Sequence, residues 1–362
     1  MSVSGLSVGI VGLANVGKST LFNALLKKQV AASANYPFTT IEPNVGVVEV
    51  SDERLEKLKY VVEKSEGLSP GFKIISATVK FVDIAGLVKG AHKGEGLGNK
   101  FLSHIREVDV IVFVVRDFKN PDIIKTGEDP IDDLEVLRDE LFLKDMETLE
   151  KRIDSLGKEI KAIAGSDPRK VVLSTLEKAK AEVEKGNWLA ETLSADELEK
   201  IADLQLLSAK KTIVVVNSDE GELKNPASIV GALRICAKLE EELAGLSQDE
   251  QNQYLGEIGV VESGLEKLIK KAYETLDLAT FLTAGAKEVR AWTIKKGFLA
   301  PVAAGVIHSD FERGFIAADV VPYDKFVEAG GWQKARMKGF VKTIGKNERM
   351  PENVVVEFKF SV

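Results

Sequence analysis

The sequence predicts an α/β fold in which a doubly wound, mostly parallel sheet carries an inserted α-helical hairpin and precedes a compact β-rich domain. Three observations support this prediction. Short apolar strands alternate with helical stretches near the start, a heptad seam runs through the middle, and short strands with Gly and Pro turns occupy the end. We therefore expect one domain over residues 1–130 and 208–277, a helical insertion over 131–207 and a third domain over 278–362.

The α/β domain is predicted from apolar runs of strand length that alternate with helical periodicity. The strands are expected at residues 8–11, 80–84, 110–115 and 212–216, and the helices at residues 19–26 and 265–273. Because helices connect parallel strands in such units, the pattern predicts a sheet covered by helices.

The insertion is predicted from two runs of apolar residues with helical spacing. The runs are Phe142, Met146, Leu149, Ile153, Leu156, Ile160 and Ile163, and then Val172, Leu176, Ala179 and Val183. Alternating spacings of four and three place each run on one helix face. Two antiparallel helices with this seam form a coiled-coil hairpin, which is either a partner-binding arm or a purely structural insertion.

Composition favours a globular protein without disulfides or a zinc site. Of 362 residues, 44% are apolar, one is cysteine (Cys236) and three are histidines that lie far apart in the sequence. The N-terminus lacks the basic segment of a signal peptide, and no apolar run has the length that spans a bilayer. We expect a cytoplasmic monomer that does not associate with membranes.

Charge is distributed unevenly along the chain. The formal net charge is −7, yet residues 278–362 contain 13 basic and 9 acidic residues. Several basic residues recur there beside two aromatic residues: Lys334, Arg336, Lys338, Lys342 and Lys346 with Trp332 and Phe340. The mixture suits contacts with RNA phosphates and bases, and it equally suits a solvated sheet edge protected by lysines. Both interpretations stay open.

Residues 12–19 have the spacing of a phosphate-binding loop, namely Gly, four residues, Gly, Lys and Ser. The glycines let backbone amides turn toward phosphate oxygens, Lys18 supplies a positive charge to the β- and γ-phosphates, and Ser19 offers a hydroxyl to Mg²⁺. The loop follows a predicted strand and begins a predicted helix, whose N-terminus favours the same anion. The sequence therefore predicts a P-loop nucleoside triphosphatase.

A second phosphate-site element, Asp-Ile-Ala-Gly, occupies residues 83–86 at the end of a predicted strand. We expect Asp83 to hold Mg²⁺ through a water and the Gly86 amide to contact the γ-phosphate. The glycine-rich stretch that follows favours a switch that responds to hydrolysis. Thr40, in an earlier loop, is placed to complete the metal shell.

The base site departs from the pattern Asn-Lys-X-Asp with which regulatory GTPases bind guanine. Residues 217–220 read Asn-Ser-Asp-Glu, so the lysine is absent and the last carboxylate is one methylene longer. A site built for guanine loses affinity when its paired donors are imperfectly satisfied. Adenine becomes the better candidate, and we predict ATP in preference to GTP.

At these positions the chain resembles the YchF family of Obg-like ATPases, a translation-factor class of P-loop proteins. The similar stretches are residues 36–44, 83–105, 217–220, 236–238, 284–293 and 305–315. The resemblance implies a P-loop NTPase G domain, an inserted coiled-coil hairpin and a C-terminal β-grasp domain of the TGS type. It also implies ATP hydrolysis and association with ribosomes.

The resemblance assigns roles to individual residues. It implies phosphate contacts from Asn15, Val16, Gly17, Lys18, Ser19 and Thr20, and Mg²⁺ binding by Ser19 and Thr40. It further implies adenine contacts from Asn217 and the Ser218 backbone, discrimination against guanine by Glu220, and closure over the base by the loop 236–238, which includes Ala237. Two residues depart from the family pattern, because Ala14 replaces the usual proline and Phe113 replaces a histidine found in many relatives.

Catalysis is predicted to be slow. Leu87 stands where many GTPases place a glutamine that orients water, and leucine forms no hydrogen bond with water. His92 is a candidate that approaches the γ-phosphate on loop closure, and it is equally a surface histidine. Lys18, Asp83 and Gly86 complete the predicted catalytic set. Asn15 is a candidate ligand for K⁺, which would replace an absent arginine finger.

Three functions agree with these features. The first is an ATPase switch whose nucleotide state changes how the hairpin and the C-terminal domain face the ribosome or a ribosomal subunit. The second is a GTPase that acts in ribosome assembly. The third is a ribosome- or RNA-binding module in which hydrolysis is incidental.

Overall fold

Two six-stranded sheets organise the molecule. The computed structural model describes residues 6–32, 44–84, 86, 97–119, 129–161 and 167–361 of the chain. The strands are β1 (Ser7–Val11), β2 (Val45–Val50), β3 (Lys73–Ile75), β4 (Ala77–Asp83), β5 (Val110–Asp117), β6 (Lys211–Ser218), β7 (Leu233–Ile235), β8 (Leu278–Gly285), β9 (Glu288–Lys295), β10 (Phe315–Pro322), β11 (Lys342–Ile344) and β12 (Val354–Phe360).

Helices of very different length surround the sheets. They are α1 (Lys18–Ala32), α2 (Arg54–Ser65), α3 (Leu97–Glu107), α4 (Pro130–Ile160), α5 (Pro168–Glu184), α6 (Leu189–Thr192), α7 (Ala195–Lys200), α8 (Ala237–Leu243), α9 (Gln248–Glu257), α10 (Gly264–Thr275), α11 (Ala300–Ile307), α12 (Ser309–Arg313), α13 (Tyr323–Ala329) and α14 (Trp332–Met337). Within the residues described, no helix is both long and apolar enough to cross a membrane.

The first sheet confirms the predicted α/β class. Its strand order is β2-β4-β1-β5-β6-β7, and only β2 runs antiparallel to its neighbour. Every residue of β1 and residues 110–115 of β5 are buried, as expected for central strands covered on both faces. The carboxyl ends of β1, β4, β5 and β6 therefore meet at one edge, where α/β proteins bind their ligands.

The predicted pair of long helices is also present. Helix α4 has 31 residues, begins with Pro130 after the N-cap Asp129, and packs against α5. The seam residues Leu149, Leu156 and Ala179 are buried and belong to the main apolar core. Near the middle of α4, the fully buried Asp145 carboxylate accepts hydrogen bonds from Leu207 and Ser208, which attaches this helix to the segment before β6.

The second sheet has the order β11-β10-β12-β8-β9-β3, so it takes one strand from the first part of the chain. Strand β3 lies parallel to β9, from the pair Lys73–Glu288 to the pair Ile75–Arg290. The predicted division at residue 278 thus does not separate the two sheets completely. Sequence patterns did not show this because a three-residue strand has too few positions for periodicity, while its pairing covers an edge of β9 that would otherwise be unpaired.

Candidate nucleotide-binding site

The phosphate-binding loop lies between the end of β1 and the start of α1, as the motif predicts. Gly17 has φ +93°, and a Cβ at this position would lie 2.2 Å from Asn217 Nδ2. Both the backbone conformation and the close approach therefore require glycine. Asn15 also has a positive φ of 62°, a conformation that asparagine tolerates, and its side chain is exposed.

Contacts within the protein hold the Lys18 side chain in place beneath the loop. Its side chain is largely buried, and Nζ donates a hydrogen bond to the Leu13 carbonyl oxygen at 2.5 Å. Burial lowers the pKa of Lys18, and the negative charge of Asp83 partly opposes this shift. Because the side chain is already ordered, binding an anion does not require a further loss of side-chain entropy.

Asp83 is the last residue of β4, and its carboxylate interacts electrostatically with Lys18. Burial raises the pKa of its carboxyl group, and the positive charge of Lys18 opposes the change. Its Oδ1 atom is buried and has no hydrogen-bond partner among the described residues. Gly86 lies close by, because a Cβ there would be 3.0 Å from Lys18 Nζ. An orphaned buried oxygen is a costly arrangement unless a ligand satisfies it.

These donors fit a magnesium ion. Mg²⁺ prefers oxygen ligands and is usually bound through one or two carboxylates together with waters and substrate phosphates. The exposed Ser19 hydroxyl and the Asp83 carboxylate supply such oxygens, whereas no group of three or more His, Cys, Asp or Glu side chains suited to a metal occurs in the described part of the chain. Thr40, the third predicted metal ligand, lies outside the described residues.

The phosphate loop opens into a cavity of about 840 Å³. The predicted nucleotide-binding residues that line it are Asn15, Gly17, Lys18, Ser19, Thr20, Asn217, Ser218, Glu220 and Ala237. Val16 is buried beneath the loop and does not line the cavity. The structure thus brings together residues near the N-terminus and two segments about 200 positions later.

Asn217 connects the two ends of this cavity. Its Nδ2 atom donates to the Val16 carbonyl oxygen at 2.9 Å, and its Oδ1 atom accepts from the Ala237 amide at 2.9 Å. The side chain is 5% exposed. Asn217 therefore acts as a brace between the phosphate loop and the start of α8, in addition to lining the cavity. The prediction of a loop at residues 236–238 is wrong, because Cys236 is the N-cap of α8 and Ala237 is its first residue.

The following residues supply polar groups to the base end of the cavity. The Glu220 carboxylate accepts a hydrogen bond from the Tyr254 hydroxyl at 2.9 Å. Asp219 accepts from the Lys119 amide at 3.2 Å. Ser218 is 2% exposed, and its Oγ atom has no hydrogen-bond partner within the described chain.

Several cavity residues were not predicted. Phe118 and Lys119 follow the end of β5 and line the cavity beside the base-end residues. Their position directly after a central parallel strand was the available signal, because ligands bind outside the carboxyl ends of such strands.

Cys236, from the predicted segment 236–238, also lines the cavity, but it is 7% exposed and packs with Leu239, Leu243 and Leu255. Burial raises the pKa of its thiol, so it behaves as a small apolar residue.

Two of the residues discussed for catalysis lie outside the described part of the chain, namely His92 and Leu87. Phe113 is fully buried and packs edge-on against Trp188, with the ring centroids 5.8 Å apart. Phe113 therefore contributes to packing between β5 and the helical insertion.

The loop, the sheet order and the cavity define a P-loop nucleoside triphosphatase with a GTPase-like domain. The profile described as "50S ribosome-binding GTPase" matches residues 7–153, and the profile of the YchF GTPase C-terminal domain, described as "Protein of unknown function (DUF933)", matches residues 278–361. The "Ribosome-binding ATPase YchF" of Bacillus subtilis is 46% identical over 99% of this chain and 100% of its own length. The protein of the same name from Mycoplasma genitalium is 44% identical over the same shares. This chain belongs to the YchF family.

A solved structure supports the same conclusion for the whole fold. The Schizosaccharomyces pombe YchF GTPase superposes with a TM-score of 0.85 and 34% identity, and the match covers 98% of each chain. The described sheets and helices thus have the architecture of this family from the first strand to the last.

Proposed function

We propose that this protein is a Mg²⁺-dependent ATPase that binds and slowly hydrolyses ATP, in preference to GTP, as a nucleotide-dependent switch on the ribosome. One observation carries the proposal. A single cavity has Lys18 and Ser19 at one end and the segment 217–220 at the other, and this segment ends with Glu220 rather than with the aspartate of guanine-binding sites. The names of the bacterial relatives, which describe ribosome-binding ATPases, agree with it.

In this proposal the chain's own residues bind and orient the substrate. Lys18 and the backbone amides of the loop hold the phosphates, and Ser19, Asp83 and Thr40 hold the metal, which neutralises charge on the phosphate oxygens. The Gly86 amide contacts the γ-phosphate, and His92 is a candidate that approaches it. We expect slow turnover because Leu87 cannot orient water.

Nucleotide competition tests the base preference. We expect calorimetry to give tighter binding for ATP than for GTP in the presence of Mg²⁺, and binding to weaken when Mg²⁺ is removed by a chelator. If GTP displaced bound ATP at a lower concentration than ATP needs to displace bound GTP, the proposal would be contradicted. It would favour the second candidate, a GTPase acting in ribosome assembly; the names of the S. pombe protein and of the profile that matches residues 7–153 both contain the word GTPase.

The proposed switch needs a connection from the phosphate site to the C-terminal domain, 278–362, for which we propose the TGS type. Residues between β2 and β4 provide one. Arg54 at the start of α2 donates to Asn353 Oδ1 at 2.6 Å, and the Ser69 amide donates to the Ala286 carbonyl oxygen at 2.8 Å. Strand β4, which follows this segment, ends at Asp83, and we propose these consecutive elements as the path by which a change at the metal site affects the second sheet.

Co-sedimentation tests the ribosomal part of the proposal. We expect the amount of protein bound to ribosomes or ribosomal subunits to differ between a non-hydrolysable ATP analogue, ADP and no nucleotide. Lys18→Ala should reduce this difference, because it weakens the hold on the phosphates. Unchanged binding of the wild type across nucleotide states would instead favour a ribosome- or RNA-binding module with incidental hydrolysis.

Potassium dependence tests the proposed role of Asn15. Its exposed side chain lines the cavity beside Ser19. We expect faster hydrolysis in K⁺ than in Na⁺ and loss of the difference in Asn15→Ala. Equal rates of the wild type in both salts would remove K⁺ from the mechanism.

A further inference from the structure

Tyr254 forms a hydrogen bond with the carboxylate of Glu220. Its hydroxyl donates to Glu220 Oε1 at 2.9 Å across 34 positions of sequence. Nothing in the residue spacing of the base-binding segment 217–220 points to this tyrosine, because it lies on α9, which follows α8. The contact therefore adds a residue to the base end of the cavity that local motifs do not contain.

The position of Tyr254 is itself fixed by packing. Its neighbour Leu255 is 6% exposed and belongs to an apolar cluster with Cys236, Leu239 and Leu243, against which Tyr254 also packs. Helix α9 begins with a capping box in which Ser247 and Glu250 satisfy each other's backbone amides. Since Cys236 and Leu239 also line the cavity, the cluster holds the tyrosine hydroxyl at a set distance from the base end.

A carboxylate held in this way treats the two purine bases differently. Guanine presents two adjacent donors, and it is bound well when a carboxylate turns both oxygens toward them. Glu220 Oε1 accepts from Tyr254, so we expect that turning both oxygens toward guanine competes with this bond, whereas adenine, with one amino donor beside a ring acceptor, does not require both oxygens. The loss of binding free energy affects guanine alone, and a difference in binding free energy between two ligands is what produces specificity.

We propose that Tyr254 is a positioning residue for base selectivity: it holds Glu220 in an orientation that disfavours GTP. The inference rests on the proposed preference for ATP. It assigns no contact with nucleotide to Tyr254, which acts only through the glutamate.

The experiment measures dissociation constants of the full-length protein for ATP and for GTP, with Mg²⁺, in wild type, Tyr254→Phe, Glu220→Ala and the double variant. Tyr60→Phe is the matched control, because Tyr60 is 61% exposed on α2 and does not line the cavity. We expect Tyr254→Phe to shift the ratio of the two constants toward GTP by roughly threefold to tenfold, the effect of one hydrogen bond. The control should not change the ratio.

The double variant separates positioning from general loss of structure. In the Glu220→Ala background, Tyr254→Phe should leave the ratio unchanged, since the group through which it acts is gone. An unchanged ratio in Tyr254→Phe, or a parallel loss of affinity for both nucleotides, would overturn the inference and leave the proposed function intact. A persistent shift without Glu220 would also overturn it. A wild type that prefers GTP, or binds neither nucleotide, would overturn the proposed function as well.

Discussion

The two ends of the nucleotide cavity are built in different ways. At the phosphate end, Lys18 is largely buried and Asp83 is half-buried, and each shifts the pKa of the other against the effect of burial. At the base end, Glu220 is exposed and is oriented by a side chain from another helix. We infer that the phosphate end supplies most of the affinity, because charge interactions are strongest where water is excluded, and that the base end supplies selectivity.

Lys18→Ala should have the largest effect. The variant loses the cation that we propose for the β- and γ-phosphates, so single-turnover hydrolysis should fall by about 100-fold to 1,000-fold, as when an enzyme loses one pre-oriented charge or donor. The measurement is rapid-quench hydrolysis with enzyme in excess over ATP. Lys151→Ala, an exposed lysine of α4, is the control and should hydrolyse at the wild-type rate. A Lys18→Ala rate within threefold of that control would contradict the comparison.

Asp83→Asn should weaken the apparent Mg²⁺ affinity of the nucleotide complex by roughly 10-fold to 100-fold, the usual cost of removing a residue that holds a metal through water. Titration of Mg²⁺ at fixed ATP measures it. Asp203→Asn, at an exposed aspartate, provides the control. If the half-saturating Mg²⁺ concentration stayed the same in both variants, Asp83 would not belong to the metal site.

The same substitution should stabilise the nucleotide-free protein. Folding raises the pKa of Asp83 above its ordinary value of 3.8 through burial, so the folded state binds protons more readily and stability falls as pH rises through this window. At pH 7 the full cost is present, and Asp83→Asn should increase the free energy of unfolding by no more than about 1 kcal/mol, since the group is partly solvated. Chemical denaturation at pH 7 and at pH 4 measures the gain, which should shrink at the lower pH.

Asn217→Ala tests the brace between the two ends. It leaves the Val16 carbonyl and the Ala237 amide without their side-chain partner, which should lower the free energy of unfolding by about 1.5 kcal/mol. Affinity for ATP should fall as well. Asn225→Ala removes an exposed hydrogen bond to Glu222 and should change stability little. Equal stabilities of the two variants in urea denaturation would show that the brace is unimportant.

Glu220→Asp should have the most selective effect. Shortening the carboxylate breaks its contact with Tyr254 and restores the aspartate of guanine-binding sites, so the ratio of affinities should move toward GTP by roughly fivefold to tenfold. Affinity for the phosphates should not change, and inorganic triphosphate provides that control. A shift toward ATP would mean that the length of this side chain does not disfavour guanine.

The sequence predicted more of the phosphate end than of the base end. The loop 12–19, the strand before it and the helix after it occur where their spacing placed them, because all of the required groups lie within eight consecutive residues. At the base end, the segment 217–220 was recognised, but Phe118, Lys119 and Tyr254 were not. These three come from separate segments that carry no motif of their own.

The fold shows the same difference between local and distant interactions. Strands β1, β5 and β6 and helices α4 and α5 were expected from periodicity, because burial of one face imposes a repeat on the sequence. The pairing of β3 with β9 was not expected, since it joins residues 73–75 to residues 288–290.

By itself, the sequence determined the fold class, the family and the position of the predicted phosphate loop, because each is encoded in consecutive residues or in a repeated pattern. Only the tertiary structure decided that Asn217 braces the loop to Ala237, that Tyr254 orients Glu220, and that the second sheet includes a strand from the first part of the chain. The physical reason is that hydrogen bonds between distant segments depend on how whole helices and sheets pack, and packing leaves no fixed spacing in the sequence.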